Sequence, residues 1–398
     1  MTAAIPARRR AFVLVIDACG AGALPDAAAY GDEGTCTLGH LAELNGGLDL
    51  PAMASLGLGN VLPLRGVAPV ASPAVHGRLA PLGPGKDSIT GHWELMGVSL
   101  PKPLPTYPGG FPPEILARLR AAVGRELICN RADDGLTAIE DFGAEHVRTG
   151  ALILYTSQDS VLQLAAHVDV VTPAELYAAC ERAREVMSGP DAVGRVIARP
   201  FMGEPGSFER TTGRRDYALA PVSRSYLEEL QEAGSEVVGV GKIDDLFAGR
   251  GLSERRPGAT NAQALAEVAS LAGELDGGLV FANLIETDQV YGHRKDISGF
   301  AGALEEIDAS VASLLATMRE GDLLVITADH GVDPAHPGTD HTREHVPLLA
   351  VTAEMAARGD GYGGGRHDGP MADVGATVLR WLASTAAEQL PGEAFLPA

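Results

Sequence analysis

Three stretches of this chain run through apolar, largely β-branched residues towards an acid. AFVLVI (11–16) ends at Asp17, LVFANLI (279–285) is followed after two residues by Asp288, and LLVITA (323–328) ends at Asp329. Continuous apolar runs of this length mark strands buried on both faces. A weaker run, EVVGV (236–240), reads the same way. Helical periodicity lies between them, at 262–275 and 300–319. Strands alternating with helices imply an α/β fold with a mostly parallel sheet flanked by helices. Ligands of such sheets bind beyond the carboxyl ends of the strands, where side chains from separate strands converge. A single acid there reads as readily as a helix N-cap. Three, each with further metal-ligating residues close by, are harder to assign to capping.

The middle of the chain is organised differently. KPLPTY (102–107) and PGGFPPE (108–114) carry closely spaced prolines and glycines, a hinge or linker. Residues 115–200 then show their own alternation of helix (ILARLRAAV), strand (ALILYTS), helix (AELYAACERAREVM) and strand (RVIARP). This is enough for a small α/β domain inserted into a larger one, and 398 residues exceed what one core usually supports. The expected division is 1–102 for the first part of the core, 103–219 for the insertion and 220–398 for the second part. The chain rejoins the core through a helical stretch near Ser223–Leu230. GDGYGGG (359–365) reads as a surface loop.

The formal net charge is −21, from 52 acidic and 31 basic residues. Such a field repels nucleic acid and anionic membrane, although a local Arg and Lys cluster still suits a small phosphorylated ligand. Cys19, Cys36, Cys129 and Cys180 are widely spaced and read as reduced thiols of a cytoplasmic protein. Arg8, Arg9 and Arg10 precede the apolar run Phe12–Ile16, but that run is too short for a signal peptide and Asp17 interrupts it. No stretch approaches the roughly 20 apolar residues that span a bilayer.

The acids have histidine company. His293 follows Asp288 in ETDQVYGHR, His330 adjoins Asp329 in TADHG, and His341 lies in TDHTREH. Three Asp and three His without Cys suit divalent ions of intermediate hardness such as Mn²⁺, with Zn²⁺ and Mg²⁺ as alternatives. His40, His76, His146, His167 and His367 lack such neighbours and read as structural. In GKDSITGHWELMG (85–97), Ser88 precedes a helix expected to start near Thr90. A hydroxyl there would face metals on one side and helix N-terminal N–H groups on the other, an arrangement suited to a serine nucleophile and the phosphate it acquires. Taken alone, the segment reads first as Asp87 or Ser88 capping the helix. GKDS lacks the GxxxxGK[ST] spacing of a nucleotide P-loop.

The combination of DACGAGALPDA, GKDSITGHWE, ETDQVYGHR and TADHGVDPAHPGTDHTREHVPLL, from about Arg10 onward, resembles the phosphopentomutase family. That family belongs with alkaline phosphatase and the cofactor-independent phosphoglycerate mutases. The resemblance implies an alkaline-phosphatase-like core with an inserted α/β cap. One metal would be held by Asp17, Asp329 and His330, and the other by Asp288, His293 and His341, with Ser88 as the phosphorylated nucleophile. It implies two divalent ions, with Mn²⁺ favoured, and a sugar bisphosphate primer. Ser157 and Asp159 in YTSQDSV are candidates for the sugar hydroxyls; Arg195, Arg199, Arg210 and Lys242 are candidates for the distal phosphate, a task suited to guanidinium forks. The family usually carries Thr where Ser88 stands and Ser where Ala18 stands. TTGRRDYAL also departs from it, with Gly213 and Arg215 at positions where Asn and His are usual.

The implied reaction moves phosphate between the 1 and 5 positions of ribose or deoxyribose. Phosphoserine donates to a pentose monophosphate, the bisphosphate reorients, and the other phosphate returns. Cap closure about KPLPTY and the 220 region would exclude water. A metal-dependent phosphomonoesterase is the closest rival, since the same residues hydrolyse a phosphoester if water reaches the phosphoserine. Phosphoglycerate mutases carry a longer insertion. A non-catalytic metal-stabilised binder predicts decay of the constellation, whereas all six ligands and the hydroxyl are present. The implied partners are small pentose phosphates, with no nucleic acid or membrane, and the default state is a monomer.

Overall fold

The computed structural model describes residues 9–157, 160–359 and 364–397. The chain divides into two compact units, Met1–Lys102 with Pro221–Ala398, and Pro103–Ala220.

The first unit is built on an eight-stranded sheet. Its spatial order is Glu254–Arg256, Val237–Val240, Gly278–Leu284, Arg10–Ile16, Asp322–Thr327, Val346–Thr352, Val75–Ala80 and Gly369–Pro370. The first five run parallel. Every residue of Arg10–Ile16, Gly278–Leu284 and Asp322–Thr327 is buried, which accounts for their unbroken apolar character. Helices Asn261–Glu274 and Ile297–Thr317 pack together, as do Tyr226–Glu232 and Asp373–Ala383. Side-chain caps fix where two of these helices begin: Thr260 Oγ1 accepts from Gln263 N–H at 3.2 Å and Asp296 Oδ1 from Gly299 N–H at 2.9 Å. Val346–Thr352 runs antiparallel to both its neighbours. An antiparallel return needs no crossover helix, so residues 328–345 are left as one long loop at the carboxyl end of the central strands.

The second unit has its own sheet, in the order Leu127–Ala132, Leu152–Thr156, Val161–His167, Arg195–Met202 and Glu209–Arg210, with Arg215–Ala218 also pairing to Arg195–Met202. Helices Pro113–Val123 and Pro173–Val186 cover one face over Leu154, Leu164 and Ala198. Helix Gly135–Thr149 packs on the other, over Ile153, Tyr155 and Phe201. Strand Leu127–Ala132, helix Gly135–Thr149 and strand Val161–His167 have no counterpart in the sequence pattern, and neither do the short strands Glu209–Arg210 and Arg215–Ala218. The first is half-buried and broken by a bulge, with Cys129 and Asn130 both at positive φ, so its alternation is lost. Among the described residues, no helix is long and apolar enough to cross a membrane.

Candidate active site

The register of the central strands brings three loops to one level. Ile16 lies opposite Leu284 and Val15 opposite Thr327, so Asp17, Ile285 and Ala328 leave the sheet together. Ala18 then turns into the left-handed region at φ 64°, and its N–H donates to Asp329 Oδ1 at 3.1 Å. Thr287 Oγ1 donates to Asp17 O at 2.7 Å and ties the third loop to the first. Thr287–Gly292 forms a π-helical turn, a widening that often marks functional sites. Its wide hydrogen bond from His293 N–H to Asp288 O (3.3 Å) brings the imidazole back over its own turn, with His293 Nε2 3.3 Å from Asp288 Oδ1.

The six side chains gather into two groups, Asp17 with Asp329 and His330, and Asp288 with His293 and His341. In each, the donor atoms lie within 4.8 Å of one another. His330 Nε2 stands 3.4 Å from Asp17 Oδ1 and 3.3 Å from Asp329 Oδ2. His341 Nε2 stands 3.3 Å from Asp288 Oδ1. Asp288 Oδ1, Asp329 Oδ2 and His341 Nε2 are buried yet make no well-directed hydrogen bond. Buried charge is ordinarily paired or bound to metal, and a mixed Asp and His set suits a divalent cation. The residues therefore fit two such ions.

The electrostatics agree with that fit. Burial raises Asp17, and the neighbouring Asp329 carboxylate raises it further. Burial opposes charge at Asp329 too, but His330 and His92 outweigh it and hold the carboxyl at about 2. The adjacent Asp288 carboxylate pushes His293 up to about 9. Burial works against a charged His330, yet Asp329 and Asp17 push it up to about 10. The carboxylates thus favour a proton on His293 and on His330. A bound cation would displace those protons.

Ser88 is the first residue of helix Ser88–Leu95. Its Oγ lies 3.4 Å from Asp17 Oδ1 and 3.1 Å from His330 Nε2, at the edge of the first group. The helix starts two residues earlier than the sequence reading placed it. Asp87 is its cap, accepting from Ile89 N–H at 3.0 Å and Thr90 N–H at 3.1 Å. These N–H groups are thus occupied by Asp87, which corrects the expectation that they face the serine hydroxyl. Gly91 lets the helix sit directly on the Asp329 loop, since a Cβ there would lie 2.3 Å from Asp329 O.

Several supporting residues escaped the sequence reading. Arg343, 5 % exposed, donates to Asp26 and, through Nη1, to Gly85 O at 2.7 Å. Asp32 accepts from Arg343 N–H at 2.8 Å and pairs with Lys86 at 2.7 Å. Together they clamp the lead-in to Ser88 onto the loop carrying His341. Arg343 lies inside TDHTREH and Lys86 inside GKDS, but neither spacing names a partner near Asp32. His92 and Asn283, also missed, contact the first group.

The remaining candidates lie apart in sequence and in role. Lys242 donates to Gln289 Oε1 at 3.0 Å, beside the Asp288 turn. In the second unit, Ser157 immediately follows strand Leu152–Thr156, and Asp159 lies outside the described residues. Arg195 and Arg199 share one face of strand Arg195–Met202. Arg195 stands 3.7 Å from Asp216, and Arg199 Nε donates to Gln163 Oε1 at 2.8 Å. Burial lowers Arg199 below the usual guanidinium value. Arg210 stands 3.8 Å from Asp134. The unusual Gly213 is explained locally: its carbonyl accepts from Tyr177 Oη at 2.7 Å, and a Cβ there would meet Pro200 Cγ at 2.9 Å. Arg215 stacks over the Tyr177 ring at 4.2 Å. His40, His146 and His367 have local partners in Asp333, Ala151 O and Asp373.

The sequence profile of the metalloenzyme superfamily matches residues 9–386. A phosphopentomutase of Caldanaerobacter subterraneus is 46 % identical over 93 % of each chain. One of Anaeromyxobacter dehalogenans is 50 % identical, over 94 % of this chain and 95 % of that one. A solved phosphoglycerate mutase of Leishmania mexicana aligns over 97 % of each chain at 14 % identity and a TM-score of 0.46.

Proposed function

This chain belongs to the phosphopentomutase family of the metalloenzyme superfamily, and we propose that it moves phosphate between positions 1 and 5 of ribose and deoxyribose through a phosphorylated Ser88. The observation that carries the choice of nucleophile is the placement of Ser88 Oγ, 3.1 Å from His330 Nε2 and 3.4 Å from Asp17 Oδ1. Asp17, Asp329 and His330 would hold one divalent ion and Asp288, His293 and His341 the other, with Mn²⁺ favoured by the donor set. Bound there, the ions supply positive charge that neutralises the transferring phosphoryl group.

The chain's own residues do the rest. The Asp87 cap and the Gly91 contact hold Ser88 Oγ at a fixed place for in-line transfer. Phosphoserine donates its phosphoryl group to the free hydroxyl of a pentose monophosphate, giving a bisphosphate and free Ser88. Ser88 Oγ then takes the other phosphate, which completes the exchange without net consumption of water. A sugar bisphosphate would first charge Ser88. Within the second unit, Arg195, Arg199 and Arg210 are our candidates for the distal phosphate and Ser157 and Asp159 for the sugar hydroxyls. Lys242, in the first unit beside the Asp288 turn, is a separate phosphate candidate. We place the enzyme in the cytoplasm as a monomer; its four cysteines are free.

The test is ³¹P NMR of the protein with Mn²⁺, a trace of sugar bisphosphate and ribose 1-phosphate. Ribose 5-phosphate should grow without free phosphate, and Ser88→Ala should abolish the change. Release of inorganic phosphate instead would make the protein a phosphomonoesterase with the same site.

A further inference from the structure

Two fully buried polar side chains, His92 and Asn283, have no part in the transfer steps, yet both reach the carboxylates of the first group. His92 lies one turn after Ser88 on the same helix. Its Nδ1 stands 2.8 Å from Ser88 O and 3.2 Å from Asp329 Oδ2. On the other edge of the ring, Nε2 lies 3.2 Å from Asn283 Nδ2, which is also 2.9 Å from Asp17 Oδ2. An amide nitrogen only donates, so its two hydrogens go to Asp17 Oδ2 and His92 Nε2. That assigns the imidazole proton to Nδ1, facing Ser88 O and Asp329.

The same assignment leaves Asn283 Oδ1 buried with no partner. A buried oxygen without a partner is unfavourable, so the amide's contribution lies in its nitrogen. The effect on the carboxylates is specific. Asp17 Oδ2 is engaged by Asn283, which leaves Oδ1 turned to Ser88 and His330. Asp329 Oδ1 is engaged by the N–H groups of Ala18 and His330, which leaves Oδ2 between His92 and His330. Each carboxylate is thereby held by one oxygen and presents the other.

We infer that His92 and Asn283 are positioning residues that form one bridge: they fix the presented oxygens of Asp17 and Asp329 and tie both to the helix bearing Ser88. The bridge rests on the reading of Asp17, Asp329 and His330 as a metal-binding triad. Partners of metal ligands commonly govern affinity by about 10- to 100-fold.

The experiment is titration with Mn²⁺, following the free ion by electron paramagnetic resonance, for the wild type, His92→Phe, His92→Asn, Asn283→Ala and the double variant His92→Phe/Asn283→Ala. Each of His92→Phe and Asn283→Ala should weaken one of the two ions by about 10- to 100-fold and spare the other. The double variant should be little worse than the weaker single, because the two residues act as a unit. His92→Asn, whose amide nitrogen stands in for Nδ1, should recover part of the affinity. KM for ribose 1-phosphate at saturating Mn²⁺ should stay within about twofold, while kcat falls. Folded variants that bind Mn²⁺ like the wild type, or losses that multiply in the double variant, overturn the bridge. If His92→Phe does not fold, His92→Asn against Asn283→Ala makes the same comparison. A wild type that binds no Mn²⁺ removes the metal reading itself, whereas normal wild-type binding with indifferent variants removes only the bridge.

Discussion

The rings of His330 and His341 stack with centroids 4.0 Å apart, although the first belongs with Asp17 and Asp329 and the second with Asp288 and His293. The two triads share a wall. His341→Ala should therefore lower bound Mn²⁺ from two equivalents to one and also loosen the remaining ion, because His330 loses the ring that backs it. Activity should fall by more than the roughly 10- to 100-fold seen for partners of ligands. Metal analysis after desalting, paired with the NMR assay, checks both. Two retained equivalents would count against the second triad.

Gly91 is a close-contact position in the helix of the nucleophile. An added methyl would lie 2.3 Å from Asp329 O and 2.8 Å from Asp329 Cβ, both parts of a buried loop that cannot swing aside. Gly91→Ala should cost about 1–3 kcal/mol of stability through overpacking. It should also lower kcat, because relief of the clash moves Ser88 away from His330. Urea denaturation and steady-state kinetics measure the two effects, and an unchanged midpoint would show that the helix yields freely.

Arg199 tests the role of the second unit independently of the metals. A guanidinium offers a planar fork to phosphate, whereas an ammonium is a point donor. Arg199→Lys should raise KM for ribose 1-phosphate by about tenfold, equivalent to ~1.4 kcal/mol, with little change in kcat at saturation. Mn²⁺ affinity should match the wild type. A fall in kcat at constant KM would instead give Arg199 a task specific to the transition state.

His146 should make the second unit acid-sensitive. It is fully buried; its Nδ1 is 2.6 Å from Ala151 O, and its Nε2 accepts from His167 N–H at 2.8 Å. Burial lowers its pKa below the ordinary 6.5. The folded state therefore favours the neutral ring, and its contribution is complete above pH 6.5. Below that, the unfolded imidazole takes up a proton that the folded one resists, so stability falls, by at most about 1.4 kcal/mol per pH unit. Urea midpoints at pH 7.5 and 5.5 should drop more for the wild type than for His146→Gln. An equal drop would show that His146 is not the group responsible.

Much of the core was legible because its signals are local. The runs 11–16, 279–285 and 323–328 identified the central strands to within a residue or so, since a strand buried on both faces leaves no polar position to blur its limits. The second unit was half legible. Strand Leu127–Ala132 bulges at Cys129–Arg131, and Val161–His167 follows the preceding strand too closely in sequence to stand out as a separate element. The glycine at 213 looked like a departure from a motif, and only its packing against Pro200 and Tyr177 gives it a reason.

The sequence by itself determined which residues carry chemistry: three acids beyond apolar strands, three histidines near two of those acids, and a serine ahead of a helix. Periodicity and motif reach only along the chain. Tertiary structure decided how these residues combine, because the contacts that matter join positions hundreds of residues apart. Ala18 N–H meets Asp329 across 311 residues, Asn283 meets Asp17 across 266, and Arg343 meets Gly85 across 258. Strand register places those partners within hydrogen-bond reach, and that register exists only once the sheet has formed.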